Sequence, residues 1–411
     1  MSPPPGPAPK QRRTAPDSLG IWLVAAAFAV TMMGTTLPTP LYVLYQEEFG
    51  FSTLMITVIF ATYAVGVVVA LLCCGHVSDE IGRRRTLLPG LALSMASSGI
   101  FLAASELALL FPARLLSGLS AGLFTGTATA AIVDLAGARS PGRATLVATV
   151  TQMGGLGSGP LIGSLLAEYA PAPLRLPFAL DLGLLVLASV AVRFMPEPVT
   201  VTARRPRLRL ARPQVPAHMR GVFLRASIAG FAGFAVLGLF TAVVPSFLRE
   251  LLDLPGLTVA GVVICAIFCA SAVGQVVLVP AFGPRALPVG CAGLILGMVL
   301  LTAGFATASF GLLLTGGLTA GAGQGMSFRA GLADINAAAP TDRRGDLASV
   351  YFTVLYVALA LPVVGVGLAA DLFGLRTAGI AFGVVVALLA AWTLFAVLRN
   401  GRTGHDRVGR G

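Results

Sequence analysis

The sequence predicts an all-α membrane protein in which twelve transmembrane helices form two pseudo-symmetric six-helix bundles. The first observation is composition: 56% of the 411 residues are hydrophobic and only 11% are charged, whereas about a quarter of a soluble domain is charged. The second is that apolar runs of about 20 residues recur, each long enough to cross a bilayer as a helix. The third is a repeat of sequence features between the two halves, which predicts the division into bundles.

The apolar runs fall into two sets of six predicted spans. In the first half they cover residues 19–45, 53–74, 86–104, 107–135, 144–168 and 177–194. In the second half they cover residues 222–248, 258–279, 286–306, 309–335, 347–372 and 378–398. We therefore expect an N-terminal bundle over residues 19–195 and a C-terminal bundle over residues 221–399. The Pro- and Arg-rich residues 196–220 are expected to be a cytoplasmic linker, residues 1–18 a disordered tail and residues 400–411 a second tail, both cytoplasmic.

Basic residues are concentrated in every second connection between spans. Only Arg175, Arg249 and Arg376 fall in the loops on the opposite side. Positively charged loops remain cytoplasmic, so we expect both termini in the cytoplasm and a multi-pass protein of the plasma (inner) membrane. The net charge of +11 is spread over these short loops and not over one amphipathic face, so nucleic acid is not an expected partner.

The sequence shows no cluster of the residue types that metal, redox or nucleotide chemistry requires. The three histidines lie in loops or the tail. Five cysteines lie in or at the ends of apolar runs, and we interpret them as small buried hydrophobic residues: Cys73, Cys74, Cys265, Cys269 and Cys291. No Gly-Lys-Ser/Thr phosphate loop occurs, and the longest polar stretch, about 25 residues, is too short for a soluble sensor domain. We therefore predict a transporter in the lipid bilayer, not an enzyme, with no metal and no cofactor.

The repeat between the halves is visible in charged residues. Asp134 and Arg143 follow span 4 with the same spacing that Asp334 and Arg343 have after span 10. A repeat of six spans allows two bundles to tilt against each other about a site near the membrane midplane.

The loop after span 2 carries the densest pattern of glycines and charges. Residues 75–85 read Gly-His-Val-Ser-Asp-Glu-Ile-Gly-Arg-Arg-Arg. The glycines permit sharp turns, and the charges place the loop at a membrane surface. At these residues the chain resembles the major facilitator superfamily, whose loop between helices 2 and 3 has this signature. Glu80 departs from it, because the family usually has Arg or Lys there.

The resemblance implies the superfamily's fold and a cytoplasmic latch. In the family, the aspartate and first arginine of this loop join an acidic residue at the inner end of helix 4 and clamp the halves while the protein faces outward. The matching residues here are Gly75, Asp79, Gly82, Arg83, Arg84 and Asp134. The positive end of span 11 would also favour the Asp79 carboxylate. The alternative is that the arginines only anchor the loop.

Span 5 contains a second pattern, Gly-xxx-Gly-Pro-xx-Gly. Its residues are Gly155, Gly159, Pro160 and Gly163. Glycines four apart let a neighbouring helix approach closely, and the proline bends the helix. The pattern resembles the antiporter signature of the drug:proton antiporter branch, with Ser164 in place of a final family glycine. A plain packing motif is the alternative.

Two arginines lie well inside predicted spans and not near the charged connections. Arg114 is eight residues into span 4 and needs a partner or a water-filled cavity. With Gly118 it resembles the helix 4 signature of the same branch, in which the arginine is linked to proton coupling, so we place Arg114 and Gly118 in the coupling and substrate cavity. Arg329 in span 10 is a further cavity candidate, although it lies nearer the inner end and could extend to the surface.

The polar residues of the central spans limit which classes of substrate are possible. No central span has a mid-membrane carboxylate, so we expect a neutral or anionic amphipathic substrate rather than an organic cation. For the same reason the usual proton carrier is missing, which leaves Glu106, Asp181 and Asp371 as candidates. Side chains that either contact substrate or pack the bundle are Phe124, Phe234, Phe240, Gln324 and Phe328.

The predicted function is export of a small amphipathic molecule in exchange for protons, by alternating access. The small-molecule substrate, protons and the lipid bilayer are the expected partners of a monomer. The alternative is an uptake symporter or facilitator for a small nutrient.

Overall fold

The computed structural model describes residues 18–75, 77–137, 141–199, 215–254, 256–340 and 343–408. Within these ranges the chain is helical and contains no strand. Residues 1–17 of the predicted first tail, residues 200–214 of the predicted linker and the last three residues lie outside the described part of the chain.

The first half contains eight helices, because its first span is interrupted and the loop after span 2 forms a helical turn. They are α1 (Ser18–Thr36), α2 (Tyr42–Phe49), α3 (Thr53–Cys74), α4 (Val77–Ile81), α5 (Arg83–Leu102), α6 (Leu107–Ala136), α7 (Pro141–Tyr169) and α8 (Leu176–Phe194).

The second half repeats this order, with its own interrupted first span. Its helices are α9 (Arg220–Ala242), α10 (Val244–Leu251), α11 (Leu257–Val273), α12 (Val279–Phe282), α13 (Ala286–Thr307), α14 (Phe310–Ala338), α15 (Arg344–Phe373) and α16 (Leu375–Val408). A π-helical turn, Gly274–Leu278, joins α11 to α12. Helix α16 extends beyond residue 398, where the last span was predicted to end.

Prolines interrupt the first span of each half at corresponding places. Between α1 and α2 the chain turns at Pro38 and Pro40, which cannot donate backbone hydrogen bonds. In the second half the break precedes Pro245, at the second residue of α10. The first break turns Tyr42 into the bundle, where it is 1% exposed.

Nine segments of the described chain are long and apolar enough to cross a membrane. One of them, Leu257–Thr307, has 51 residues, which is room for two crossings because about 20 residues suffice for one. Helices α7 and α14 are not among the nine, since both are rich in glycine and polar residues. The structure confirms an all-α membrane fold, and the count of twelve crossings stays a prediction.

Apolar side chains also cover the outside of the molecule. Leu187, Leu361 and Leu388 are each 65% exposed, as expected for side chains that face lipid instead of water. This explains an error in the cysteine prediction. Cys291 is buried and three cysteines are intermediate, but Cys269 is exposed. Hydrophobic positions on a membrane helix face either protein or lipid, and composition does not distinguish them.

The two halves meet along two helix pairs. Helix α3 packs along α15, and α7 packs along α11. By the order of the helices, α3 corresponds to α11 and α15 to α7, so exchanging the halves converts one interface into the other. This is the arrangement expected of two bundles related by a pseudo-two-fold axis, and it places a central cavity between them.

Candidate functional site

Arg83 contacts both carboxylates that the family resemblance groups with it, Asp79 and Asp134. Its Nη1 lies 2.6 Å from Asp79 Oδ1, and its Nε donates to Asp134 Oδ2 at 3.0 Å. Nη1 also donates to Ser78 Oγ at 2.6 Å. Arg83 is buried, whereas the Asp79 side chain is 64% exposed. These contacts stay within the first half, between α4, α5 and α6.

Glu197 completes this cluster, and sequence reasoning did not identify it. Its carboxylate accepts hydrogen bonds from the backbone N–H groups of Arg83 at 2.8 Å and Arg84 at 3.1 Å. These are the first two residues of α5, whose N–H groups have no partner within the helix and whose dipole favours a negative charge. The start of the linker is therefore fixed to the loop.

Two glycines of the motif stand where a side chain would be hindered sterically. Gly82 has φ 102°, a conformation that side chains rarely adopt, and a Cβ there would lie 2.6 Å from Glu197 Oε2. A Cβ at Gly75 would lie 3.1 Å from Ser349 Oγ in α15. Gly75 therefore marks the point where the loop comes close to the second half.

An ion pair between the two halves lies at the end of the molecule opposite the loop. Arg249 in α10 contacts Glu47 in α2. Both side chains are about half exposed, so the pair is weak and sensitive to salt. Sequence reasoning counted Arg249 only as a loop charge and did not pair it with Glu47.

Arg114 is fully buried in the first bundle and does not line the central cavity. Its Nε donates to the Tyr42 hydroxyl and its Nη1 to the Thr35 carbonyl at 2.6 Å. Its guanidinium carbon lies 5.0–5.9 Å from the ring centres of Tyr42, Tyr63 and Phe101. This aromatic enclosure supplies cation–π stabilisation without a carboxylate. Nη2 has no hydrogen-bond partner among the described residues.

Gly118 and Arg329 hold helices together and are also absent from the cavity wall. A Cβ at Gly118 would overlap the Tyr63 carbonyl, so the glycine lets α6 approach α3. Arg329 Nη1 donates to the Gln275 carbonyl at 2.6 Å. Gln275 lies in the π-helical turn, where the regular hydrogen-bond ladder is disturbed and a carbonyl can accept from a side chain.

The glycines of span 5 form the contact between α7 and α1. Gly155 lies against Ala29, Gly159 against Met33 and Gly163 against Leu37. Successive contacts are four residues apart, which is about one helical turn. A Cβ at Gly163 would lie 2.6 Å from the Leu37 carbonyl oxygen. The other side of α7 faces the second half, because a Cβ at Gly261 of α11 would lie 2.6 Å from the Pro160 carbonyl oxygen. Helix α7 is therefore wedged between α1 and α11.

The central cavity has a volume of about 60 Å³ and is lined from both halves. Its polar lining comes from Thr35, Thr36, Tyr63, Gln152, Thr241, Gln324 and Tyr356. Its aromatic lining comes from Phe60, Phe234, Phe268, Phe328 and Phe352. Of the five side chains singled out from the sequence, Phe234, Gln324 and Phe328 line it, whereas Phe124 and Phe240 are buried in helix packing. Tyr63, Gln152 and Tyr356 were missed, although each is a polar residue in an apolar span.

The three carboxylate candidates for proton binding differ in exposure. Glu106 and Asp371 are exposed at helix ends. Asp181 is 1% exposed, although it lies on α8 at the edge of the bundle. Its Oδ2 accepts a hydrogen bond from Ser98 Oγ at 2.5 Å.

The family model of the Major Facilitator Superfamily matches residues 24–361 of the chain. Among curated proteins, the chain is 28% identical over 185 residues to the "Multidrug efflux protein YfmO" of Bacillus subtilis (strain 168). That match covers 45% of this chain and 46% of the relative, so less than half of the relative's length is matched.

Solved structures share the fold at low identity. A bacterial homologue of the human lysosomal transporter Spinster, inward-facing and unoccupied, has a TM-score of 0.71 and 14% identity, over 92% of this chain and 96% of that chain. The human organic anion transporter MFSD10 (TETRAN) has a TM-score of 0.67 and 17% identity, over 93% of this chain and 100% of that chain. At these identities the likeness concerns the fold alone.

Proposed function

The chain belongs to the major facilitator superfamily, and we propose that this secondary transporter exports a small, neutral or anionic amphipathic molecule in exchange for protons. Membership makes it a multi-pass membrane protein with a small-molecule substrate. Export is supported by the span 5 pattern and by the curated relative, which is named as a multidrug efflux protein.

The observation that carries the substrate class is the lining of the central cavity. Hydroxyl and amide groups stand among five phenylalanines, and no carboxylate, lysine or arginine is among the lining residues in the described part of the chain. A site with aromatic walls and few uncharged hydrogen-bonding groups suits an amphipathic molecule, whereas a cation would find aromatic ring faces but no counter-ion. The lining supports a neutral substrate most directly, because Arg114 reaches the cavity only indirectly, through its contacts with Tyr63 and Thr35.

Transport requires this cavity to widen. A volume of about 60 Å³ holds about five water molecules, whereas sites for drug-sized ligands measure roughly 300–1,000 Å³. The halves are in contact along α3–α15 and α7–α11, so tilting one bundle against the other changes both interfaces together. Alternating access by such tilting is the motion that we propose.

The charged groups at the two ends are proposed to set the balance between the open states. Arg83, Asp79 and Asp134 form the inner cluster, and Glu47 with Arg249 joins the halves at the outer end. A contact made in only one state shifts the populations by its own free energy. For an exposed pair such as Glu47–Arg249 that shift is about fivefold or less.

The test is transport by the purified protein in liposomes that contain a pH-sensitive dye. Chloramphenicol, taurocholate and ethidium serve as neutral, anionic and cationic probes. We expect the neutral probe to move protons in the opposite direction, with ethidium inactive. Phe328→Ala in the cavity wall should raise the KM, whereas Phe373→Ala, at a side chain that is 69% exposed, should not.

Four outcomes contradict the proposal in different ways. Transport of ethidium alone would refute the substrate class. Movement of protons with the probe would favour the uptake symporter, and transport without any proton signal would favour a facilitator. An equal change of KM in both phenylalanine variants would mean that the central cavity is not the substrate site.

A further inference from the structure

We propose that Asp181 is the proton-binding residue of this transporter and that the turn of α1 at Gly34–Thr36 carries its protonation state to the substrate cavity. The inference rests on the proton coupling proposed above. It assigns that coupling to α8, outside the helices that line the cavity.

The surroundings of Asp181 fit a carboxyl group that gains and loses a proton. Its side chain is 1% exposed, and within the described chain the Ser98 hydroxyl alone donates to it, at Oδ2. The other oxygen, Oδ1, is buried without a hydrogen-bond partner among the described residues. A buried carboxylate with one oxygen unpaired is costly, whereas a protonated carboxyl group is neutral.

Asp181 lies directly against α1. A Cβ at Gly34 would be 2.8 Å from its Oδ2 and 2.9 Å from its Oδ1, so this glycine leaves room for the carboxyl group. The next two residues, Thr35 and Thr36, belong to the wall of the central cavity. A change of charge or hydrogen bonding at Asp181 therefore acts one residue away from the substrate site.

No opposite charge faces Asp181 from the helices packed against it. Helix α1 has no ionisable side chain, α5 has only Arg83, Arg84 and Arg85 at its far end, and α7 has Arg143, Glu168 and Tyr169 near its ends. The basic group near this turn of α1 is on a different helix: Arg114 of α6, which binds the Thr35 carbonyl. The carboxyl group and the guanidinium therefore act on adjacent residues of the same turn.

The coupling cycle consists of the uptake and the release of one proton. A proton from water on one side of the membrane binds Oδ1, and the side chain changes from a carboxylate to a neutral acid. In the opposite open state the proton returns to water on the other side, and the carboxylate forms again. Protonation removes a negative charge that lies against Gly34, so each proton cycle changes the electrostatic force on the turn that carries Thr35 and Thr36.

The first measurement is infrared difference spectroscopy during a pH titration of the full-length protein in lipid. The wild type should show a protonated carboxyl C=O band that titrates and that is lost in Asp181→Asn. The matched control, Glu106→Gln at an exposed carboxylate, should retain it. Asn keeps an oxygen that can accept from Ser98, so the fold should survive.

The second measurement is transport of chloramphenicol with the internal pH dye. Asp181→Asn should exchange the probe across the membrane but lose its proton counterflow. Ser98→Ala removes a hydrogen bond that favours the ionised form, so the pH midpoint of transport should rise by about one unit. This shift separates a role in proton binding from a role in packing.

The results distinguish the two proposals. A wild type that transports the probe without protons would overturn the proposed coupling and the role of Asp181 with it. A wild type with proton counterflow that persists in Asp181→Asn would overturn the assignment to Asp181 and leave the proposed function standing. Retention of the titrating band in Asp181→Asn would do the same.

Discussion

Replacement of Gly163 by alanine tests whether the span 5 glycines set the distance between α7 and α1. The added methyl group would lie 2.6 Å from the Leu37 carbonyl oxygen, about 1 Å closer than an ordinary contact. The obstacle is backbone next to the proline break, so it cannot move aside as a flexible side chain would. The two helices must separate or the chain must distort.

The cost can be isolated with a control in the same helix. Nothing lies within 4 Å of a Cβ at Gly154, so Gly154→Ala should only gain helix propensity, about 0.5–1 kcal/mol. Gly163→Ala has the same gain but adds an overpacking cost of about 1–3 kcal/mol. The difference between the two variants should therefore be about 1–3 kcal/mol in the free energy of unfolding.

Thermal unfolding in detergent, followed by circular dichroism, measures this difference. Gly163→Ala should unfold at a temperature a few degrees below that of Gly154→Ala. It should also slow transport, since moving α1 displaces Thr36, whose hydroxyl donates to the Leu156 carbonyl of α7 at 2.8 Å. Equal melting temperatures for the two variants would refute the close-contact interpretation.

Three other substitutions follow from single contacts. Tyr42→Phe removes the hydroxyl that accepts a hydrogen bond from the buried guanidinium, and it should cost about 1.5–3 kcal/mol by thermal unfolding. Tyr45→Phe is the control, because the Tyr45 hydroxyl has no partner among the described residues. Equal losses of stability in the two variants would contradict the Tyr42–Arg114 contact. Glu197→Ala removes the acceptor at the start of α5 and should cost about 1 kcal/mol, and an unchanged melting temperature would argue against this cap. Glu47→Gln should shift stability by less than about 1 kcal/mol, an effect that 1 M salt should abolish; a larger, salt-independent loss would show that the pair with Arg249 is not a surface contact.

Much of the site depended on contacts that no sequence pattern reports. Glu197 and Arg83 are 114 residues apart, and Asp181 and Ser98 are 83 apart. Neither pair has a spacing that marks it. The sequence left Asp181 as one of three carboxylate candidates, and only the rotation of α8 about its axis, which turns the carboxyl group inward, distinguishes it. Arg114 was placed in the cavity because it resembles the helix 4 signature, but the Tyr42 hydroxyl, the Thr35 carbonyl and three aromatic rings enclose it within the first bundle.

The sequence by itself determined the fold class, the family and the loop cluster. Span length and apolar content specify membrane helices because a bilayer leaves the backbone few other ways to satisfy its hydrogen bonds. The resemblance of residues 75–85 to the superfamily's loop implied that Arg83 would join Asp79 and Asp134, and both contacts are present. Tertiary structure alone decided which face of each helix meets protein, lipid or the cavity. The faces that meet lipid and protein are both apolar, so composition does not distinguish them, and close packing at small residues such as Gly34 and Gly163 sets how neighbouring helices face each other.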